Sequence, residues 1–222
     1  MALGSWQVLR LQEKEALITD LTARFEADAR PIPENLSDIE NLRFVKVRAE
    51  GRYLHSREVH LTNRILDKKV GSHLVTPFQL NDGRTLLVDR GWVALRQNAR
   101  GPVNRPEGSL MIEGILREGG FSGPRFLRPE NDRTAGEYHW PDLQTMAEGT
   151  AAPIVSLYLV LTRADHPGPS PKPNPPSVDI PNNHLEYAIT WYALAFILLV
   201  IYIIFHRRGP KSQSRDPDRI DP

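Results

Sequence analysis

The residues best suited to chemistry lie where a polar stretch meets the longest apolar run of the chain. The stretch NNHLEY, residues 182–187, leads into a series of aromatic and aliphatic residues. If this segment is helical, one face carries an imidazole followed by aromatic rings, from His184, Tyr187, Trp191 and Tyr192. An imidazole at the mouth of a membrane helix suits an amphipathic porphyrin, whose iron takes the ring nitrogen. The alternative is an ordinary helix entry, capped by an asparagine and flanked by interfacial residues.

Motifs of the common enzyme classes are missing from the sequence. It contains no Gly-x-Ser-x-Gly, no phosphate-binding loop and no His-Glu-x-x-His. His55 and His60 could meet across a hairpin, but solvated strand residues are the favoured interpretation. The chain has no cysteine and three methionines, so thiolate sites are excluded and a copper chaperone would have almost no soft ligands. We therefore expect no catalytic residues and no enzymatic activity.

The composition is that of one ordinary domain with an anchor. The 222 residues carry a formal net charge of +1, whereas nucleic-acid-binding proteins usually have a clear basic excess. Nucleic acid is therefore not expected as a partner.

One segment is long and apolar enough to cross a membrane. The run from Tyr187 to Phe205 has no charged residue and is about as long as the roughly 20 residues that a span requires. Aromatic residues lie near both of its ends, and Arg207 and Arg208 follow it. Basic residues mark the cytoplasmic side, so we expect the C-terminus to lie inside.

The rest of the chain predicts an α+β fold. Apolar residues recur with helical spacing over residues 6–29, and a period of two then begins at Val45. Further strands are predicted around Val59, around His73–Thr76, over Thr85–Val88, over Leu110–Leu116 and over Ile154–Thr162, the last of them central. Asp82-Gly83 predicts a hairpin turn, and residues 142–147 predict a short helix. Because little helix lies between the strands, we expect an antiparallel sheet or small barrel with few helices.

These elements divide the chain into five segments. They are a helix at 1–30 that follows a truncated first membrane segment, an extracytoplasmic α+β domain at 31–166, a Pro-rich linker at 167–183, a transmembrane helix at 184–206 and a disordered cytoplasmic tail at 207–222. An outer domain needs a translocation signal, and none precedes it, so we expect the first transmembrane helix to be missing or truncated. The alternative is a single-pass protein whose anchor drives translocation.

The motifs, taken in order, resemble those of the Surfeit locus protein 1 family of cytochrome c oxidase assembly factors. The stretches that carry the likeness are GSWQVLRLQEKEALI (4–18), the Val-x-Gly strand at 47–53, VTPFQLNDGRTLLVDRGWV (75–93) and NNHLEYAITWYALA (182–195). Asp89 stands where the family usually has Asn, and Ala94 where it often has Pro. The family has two membrane helices with the domain between them.

The resemblance implies a chaperone of respiratory-chain assembly in the cell inner membrane or the mitochondrial inner membrane. Its domain would lie on the periplasmic or intermembrane side, with the C-terminus in the cytoplasm or matrix. Bacterial members are thought to bind haem a and pass it on, and only His184 matches the candidate iron ligand. Tyr187, Trp191 and Tyr192 would pack on the porphyrin.

The partners implied are the catalytic subunit of the oxidase, haem a synthase and membrane lipid. Arg90-Gly91-Trp92 is the candidate docking surface, because Trp and Arg are enriched at interface hot spots; a core tryptophan is an equal alternative. Gly51 matches a strand glycine where backbone or a partner approaches closely. A scaffold that stabilises the catalytic subunit without touching haem is the alternative function.

Overall fold

The computed structural model describes residues 2–36, 38–94, 103–163, 165–166, 168–173, 175 and 182–207. The chain forms two compact units, one from residues 1–19 with 179–222 and one from residues 20–178. In the predicted linker at 167–183, residues 167, 174 and 176–181 lie outside the described residues, as does nearly all of the predicted tail at 207–222.

Four helices and eight strands are described. The helices are α1 (Ala2–Glu26), α2 (Ile39–Leu42), α3 (Leu143–Met146) and α4 (His184–Arg207). The strands are β1 (Arg30–Pro31), β2 (Lys46–Tyr53), β3 (Val59–Leu66), β4 (Lys69–Leu80), β5 (Thr85–Ala94), β6 (Leu110–Glu118), β7 (Glu137–Tyr138) and β8 (Leu157–Leu161). Single 3₁₀ turns occur at His55–Arg57 and Arg125–Leu127.

Local sequence chemistry explains where several elements begin and end. Helix α1 starts four residues earlier than the predicted 6–29 and stops at Glu26, before Pro31 enters a short strand. The predicted Asp-Gly turn joins β4 to β5, with Gly83 at a φ of +90° that suits a residue without a Cβ. The predicted short helix is α3, whose N-cap Asp142 accepts a hydrogen bond from the backbone N–H of Thr145.

Five strands close into a small barrel. Strand β2 pairs with β6, β6 with β8, β8 with β5, β5 with β4, and β4 again with β2. The α+β class and the small barrel are confirmed, but a wholly antiparallel order is wrong, because the pairs β5–β8, β1–β2 and β3–β7 are parallel. The chain between β5 and β8, which includes β6, is long enough for the crossover that a parallel pair requires, even without a long helix.

The barrel is filled by alternate residues of its strands. In β2 every second residue from Val47 to Tyr53 is buried, and the intervening residues are exposed. The interior cluster includes Val47, Phe78, Leu86, Leu116 and Leu159. A second cluster, on the other face of the sheet, includes Leu61, Val75, Leu87, Tyr158 and Val160 together with residues of α3. Because β8 contributes to both clusters and is buried along its whole length, its predicted central position is confirmed.

Helix α4 has the properties of a membrane span. Its 24 residues include a window with a mean hydropathy of 2.5, of which only 6% is buried inside the protein. A core helix of a water-soluble domain would be mostly buried. Length and composition therefore make α4 a candidate membrane helix, as the sequence predicts.

Gly51 lies where β2 meets β4 and closes the barrel. It pairs with Leu80, and a Cβ at this position would lie 2.1 Å from the carbonyl oxygen of Gln79. The expected close approach at Gly51 is thus one of backbone to backbone.

Replacing Gly51 should loosen this closure. We expect Gly51→Ala to destabilise the domain by about 3 kcal/mol, because the methyl group can be accommodated only if β2 and β4 separate. Glu50→Ala is the control: Glu50 is exposed on the same strand, and its loss should cost less than about 0.5 kcal/mol. Thermal or denaturant unfolding in detergent measures both. Equal stability of the two variants would contradict the steric explanation.

Candidate functional site

His184 is the first residue of α4 and is held by a side chain of α1. Its Nδ1–H donates a hydrogen bond of 2.6 Å to Oε1 of Gln7, 177 residues away in the chain. With Nδ1 protonated, Nε2 carries the lone pair that a neutral imidazole offers to a metal. No described residue bonds to Nε2. The arrangement orients one ring nitrogen and leaves the other available.

Two contacts of α1 complete the setting of His184. The ring of Trp6 meets the imidazole edge-to-face, with centroids 6.4 Å apart. Farther along, the hydroxyl groups of Ser5 and Tyr192 lie 3.1 Å apart, and a Cβ on Gly4 would lie 3.0 Å from the Tyr192 ring. Glycine at position 4 thus allows the two helices to pack closely. Trp6 and Gln7 were not predicted as site residues, although both lie in the N-terminal motif at 4–18.

The four predicted porphyrin-binding residues have different surroundings. Tyr192 is engaged in packing against α1, whereas Trp191 lines an apolar crevice of about 460 Å³ with Leu194 of α4 and Leu3 of α1. The side chain of Tyr187 is 56% exposed. The structure thus brings together His184, Tyr192 and α1, and places Trp191 at the neighbouring crevice.

An unsatisfied polar atom lies beside this site in sequence. The side-chain oxygen of Asn182, two residues before His184, is buried and has no hydrogen-bond partner among the described residues. Buried polar atoms are nearly always paired in proteins, so this oxygen is an acceptor that a donor group could satisfy. The donor set fits a haem: one neutral imidazole with its second nitrogen anchored, beside an apolar crevice. No group of three or more candidate metal-ligating side chains occurs among the described residues.

Arg90, Gly91 and Trp92 lie in the interior. The Arg90 side chain is 0% exposed and Trp92 is 7% exposed. The indole N–H of Trp92 donates to the carbonyl oxygen of Arg64, and the backbone of Trp92 bonds in both directions with Lys172. These contacts fit the alternative of a core tryptophan. None of the three residues exposes a side chain that could form the predicted docking surface.

Arg90 is the centre of a buried charge cluster. Its Nε donates to Asp165 over 3.1 Å, one Nη to the Asn104 carbonyl oxygen over 2.7 Å, and the other to Glu58 over 3.4 Å. The guanidinium also lies 4.7 Å from the ring centroid of Tyr53. Each partner comes from a different segment of the chain, so the cluster joins those segments to the barrel.

The cluster shifts the pKa of two of its members. Burial raises the pKa of Tyr53 well above 10.0, and nearby Asp165 raises it further. Burial also raises the pKa of Asp165, but the hydrogen bond from His166, the nearby phenol of Tyr53 and the charge of Arg90 outweigh it and bring the pKa below its usual value of 3.8. At neutral pH Tyr53 is therefore a neutral phenol and Asp165 a carboxylate.

The remaining histidines occupy places of their own. His55 bonds through Nδ1 to Glu58 and through Nε2 to the carbonyl oxygen of Pro106, so it does not meet His60 across a hairpin. His60 is 5% exposed and bonds to Ser72, which makes its predicted solvation wrong. His73 bonds to Asp89 over 2.7 Å in a buried pair. Pro106, Ser72 and Asp89 are not sequence neighbours of the histidines that they contact, so the local sequence did not indicate these partners.

Known proteins resemble the chain along most of its length. The sequence profile described as the SURF1 family matches residues 1–196. A SURF1-like protein of Monosiga brevicollis is 32% identical over 93% of this chain and 83% of its own length. Surfeit locus protein 1 of Mus musculus is 30% identical over 94% of this chain and 72% of its own length. The human protein of that name is 30% identical over 87% and 69%.

The buried cluster makes a prediction about acid stability. Because the pKa of Asp165 is lower in the folded chain than in the unfolded chain, this carboxylate stabilises the fold above pH 3.8 and loses its contribution as the pH falls below that value. We expect Asp165→Asn to cost about 3 kcal/mol at neutral pH, since it leaves Arg90 without its nearest carboxylate. The variant should also lose less stability than the native chain on acidification.

Asp82→Asn is the matched control. The pKa of Asp82 is also lowered, chiefly by the hydrogen bond from Arg84, but its side chain is 46% exposed and screened by solvent. Denaturant unfolding between pH 7 and pH 3 compares the three proteins. If Asp165→Asn behaved like Asp82→Asn, the buried cluster would not have the energetic role given to it.

Proposed function

The chain belongs to the SURF1 family, and on that premise we propose that it is a membrane-bound assembly factor for cytochrome c oxidase that holds haem a and passes it to the catalytic subunit. The single observation that carries the haem proposal is the anchored imidazole of His184. Its Nδ1 is fixed by Gln7 at 2.6 Å, and Nε2 faces no described partner at the start of the apolar helix.

The chemistry of that imidazole supports an iron ligand. Histidines that bind metals almost always donate their second N–H to an acceptor, which fixes the tautomer and the orientation of the ring. Gln7 supplies such an acceptor, and Trp6 limits the ring's rotation from the side. When bound, haem a would bring the iron chemistry, and this chain would contribute one nitrogen ligand and an apolar surface.

The apolar crevice beside Trp191 supports a hydrocarbon-rich cargo. It is lined by side chains of α1 and α4 that offer almost only carbon atoms, including Leu3, Leu194 and Leu198. A porphyrin with apolar substituents is stabilised by removing that surface from water and head groups. Tyr187 and Trp191, both at least 40% exposed, are available to pack against it.

The proposed site lies at the outer face of a membrane. We place α4 across the cell inner membrane or the mitochondrial inner membrane, with residues 31–166 on the periplasmic or intermembrane side. Arg207 and Arg208 after the apolar run favour the cytoplasm or matrix for the C-terminus. Haem a synthase would be the donor, the catalytic subunit the acceptor and membrane lipid the surroundings; the chain itself would act as a chaperone rather than an enzyme.

A scaffold that stabilises the catalytic subunit without haem is the second candidate. The observation that favours it is the packing role of the same residues: Tyr192 with Ser5, and His184 with Gln7, join α4 to α1. Under this hypothesis His184 is a helix-packing residue.

Substitution of His184 separates the two functions. The full chain is produced with a supply of haem a, solubilised in detergent and examined by its visible spectrum and by the type of haem extracted. We expect the native chain to carry haem a and His184→Ala to lose at least about tenfold, because the iron loses its nitrogen ligand. His206→Ala, at the other end of α4, is the control and should keep its haem. A folded native chain without haem a would favour the scaffold.

Gln7 provides a finer test. We expect Gln7→Ala to weaken haem a retention by roughly ten- to a hundredfold, as is typical when the hydrogen-bond partner of a metal-binding histidine is removed. Gln7→Glu keeps an acceptor oxygen and should restore retention. Gln12→Ala changes the same residue type on an exposed part of α1 and should have no effect. If Gln7→Ala retained all of its haem a, the Gln7–His184 hydrogen bond would serve only the packing of the two helices.

A further inference from the structure

A polar cavity on the outer face of the barrel is separate from the proposed haem site. It lies within the unit of residues 20–178 and has a volume of about 440 Å³. Side chains from five barrel or neighbouring strands converge on it: Leu61, Arg64, His73, Asp89, Arg117 and Tyr158. Its size is within the range of small-molecule pockets.

The acidic group at the base of this cavity is already bonded within the fold. Oδ2 of Asp89 lies 2.7 Å from Nδ1 of His73, and Oδ1 accepts the backbone N–H of Gly91 at 3.0 Å. Asp89 is 3% exposed, so its carboxylate is occupied on both oxygens and shielded. It therefore does not neutralise the arginines at the cavity mouth through a direct ion pair.

Two guanidinium groups at the cavity have no carboxylate partner among the described residues. Arg64 donates one hydrogen bond, of 3.3 Å, to the carbonyl oxygen of Thr62, and Arg117 lies 5.8 Å from the ring centroid of Phe44. Neither forms an ion pair within the described part of the chain, whereas Arg90 forms two. Planar guanidinium groups that lack a carboxylate partner are suited to bind oxoanions in a bidentate manner.

The positive charges of Arg117 and Arg64 act on the phenol of Tyr158. Burial raises its pKa above 10.0, Asp89 raises it too, and the positive charges of Arg117 and Arg64 lower it. Tyr158 is 7% exposed, yet its hydroxyl makes no hydrogen bond to a described residue. A neutral phenol can donate that hydrogen bond to an anion bound between the arginines.

We propose that this cavity binds the carboxylate group of a small, singly charged molecule with an apolar body. Arg64, Arg117 and the Tyr158 hydroxyl would receive the carboxylate, and Leu61, Val160 and Pro141 would contact the hydrocarbon part. A carboxylate matches the planar guanidinium groups and the phenol hydroxyl, whereas the negative charges of Asp89 and Glu118, which also line the cavity, repel a dianion such as phosphate more strongly than a monoanion. The proposal does not depend on haem binding.

Calorimetric titration of the full chain in detergent tests the site. Benzoate and butyrate serve as probes, inorganic phosphate as the comparison anion and protein-free micelles as the blank. We expect saturable one-to-one binding of at least one carboxylate, weakened roughly tenfold or more by Arg117→Gln or Arg64→Gln, because each removes a charge-assisted hydrogen bond. Tyr158→Phe should weaken binding by a smaller factor and keep the fold.

The control is Arg52→Gln, at an arginine that bonds to Gln79 and lines a different cavity. It should leave carboxylate binding unchanged. If the arginine variants lose the native thermal transition, Arg117→Lys and Tyr158→Phe are tested for carboxylate binding instead. Each of these two substitutions keeps the charge of the native side chain and most of its volume. The proposal is overturned if neither carboxylate binds at millimolar concentration, if phosphate binds more tightly than both, or if the cavity variants bind like Arg52→Gln.

Discussion

A guanidinium group that water cannot reach must find its partners inside the protein, and Arg90 is such a group. Its ion pairs with Asp165 and Glu58 offset the large cost of removing three charges from water. Those partners come from the turn after β2 and from the segment after β8, and the Asn104 carbonyl comes from the connection before β6. Three loops at the barrel surface are therefore positioned by one side chain.

Some of the fold follows from short stretches of sequence, because the forces that shape it are local. Alternation along β2, the Asp82-Gly83 turn and the cap at Asp142 each depend on residues only a few positions apart. The parallel pair β5–β8 joins Val88 to Leu159 and the backbone of Trp92 bonds to Lys172, so both features depend on distant segments of the chain. A strand's own residues do not record which neighbour it will have, so these features could not be predicted from the pattern of single segments.

The candidate site also combines a residue that local sequence reveals with partners that come from a distant segment. His184 stands out from the chemistry of its own helix, as a nitrogen ligand at the entry of an apolar segment. Its partners, Gln7 and Trp6, lie at the other end of the chain and are brought to it by the packing of α1 against α4. For Arg90 and Trp92 the residue type alone was misleading. Arginine and tryptophan are typical of interfaces, but they can also be buried in a domain when the fold supplies hydrogen-bond acceptors for them.

The acceptor bonded to its imidazole distinguishes His184, the proposed haem ligand, from two buried histidines of the barrel domain. His73 and His166 bond to the carboxylates of Asp89 and Asp165. His184 faces a neutral amide instead. A carboxylate behind a metal-binding histidine raises its basicity and strengthens the metal bond, whereas an amide orients the ring with less of that effect. A protein that must release its cargo to a partner gains from the second arrangement, because the ligand is oriented for capture without being made too strong for transfer.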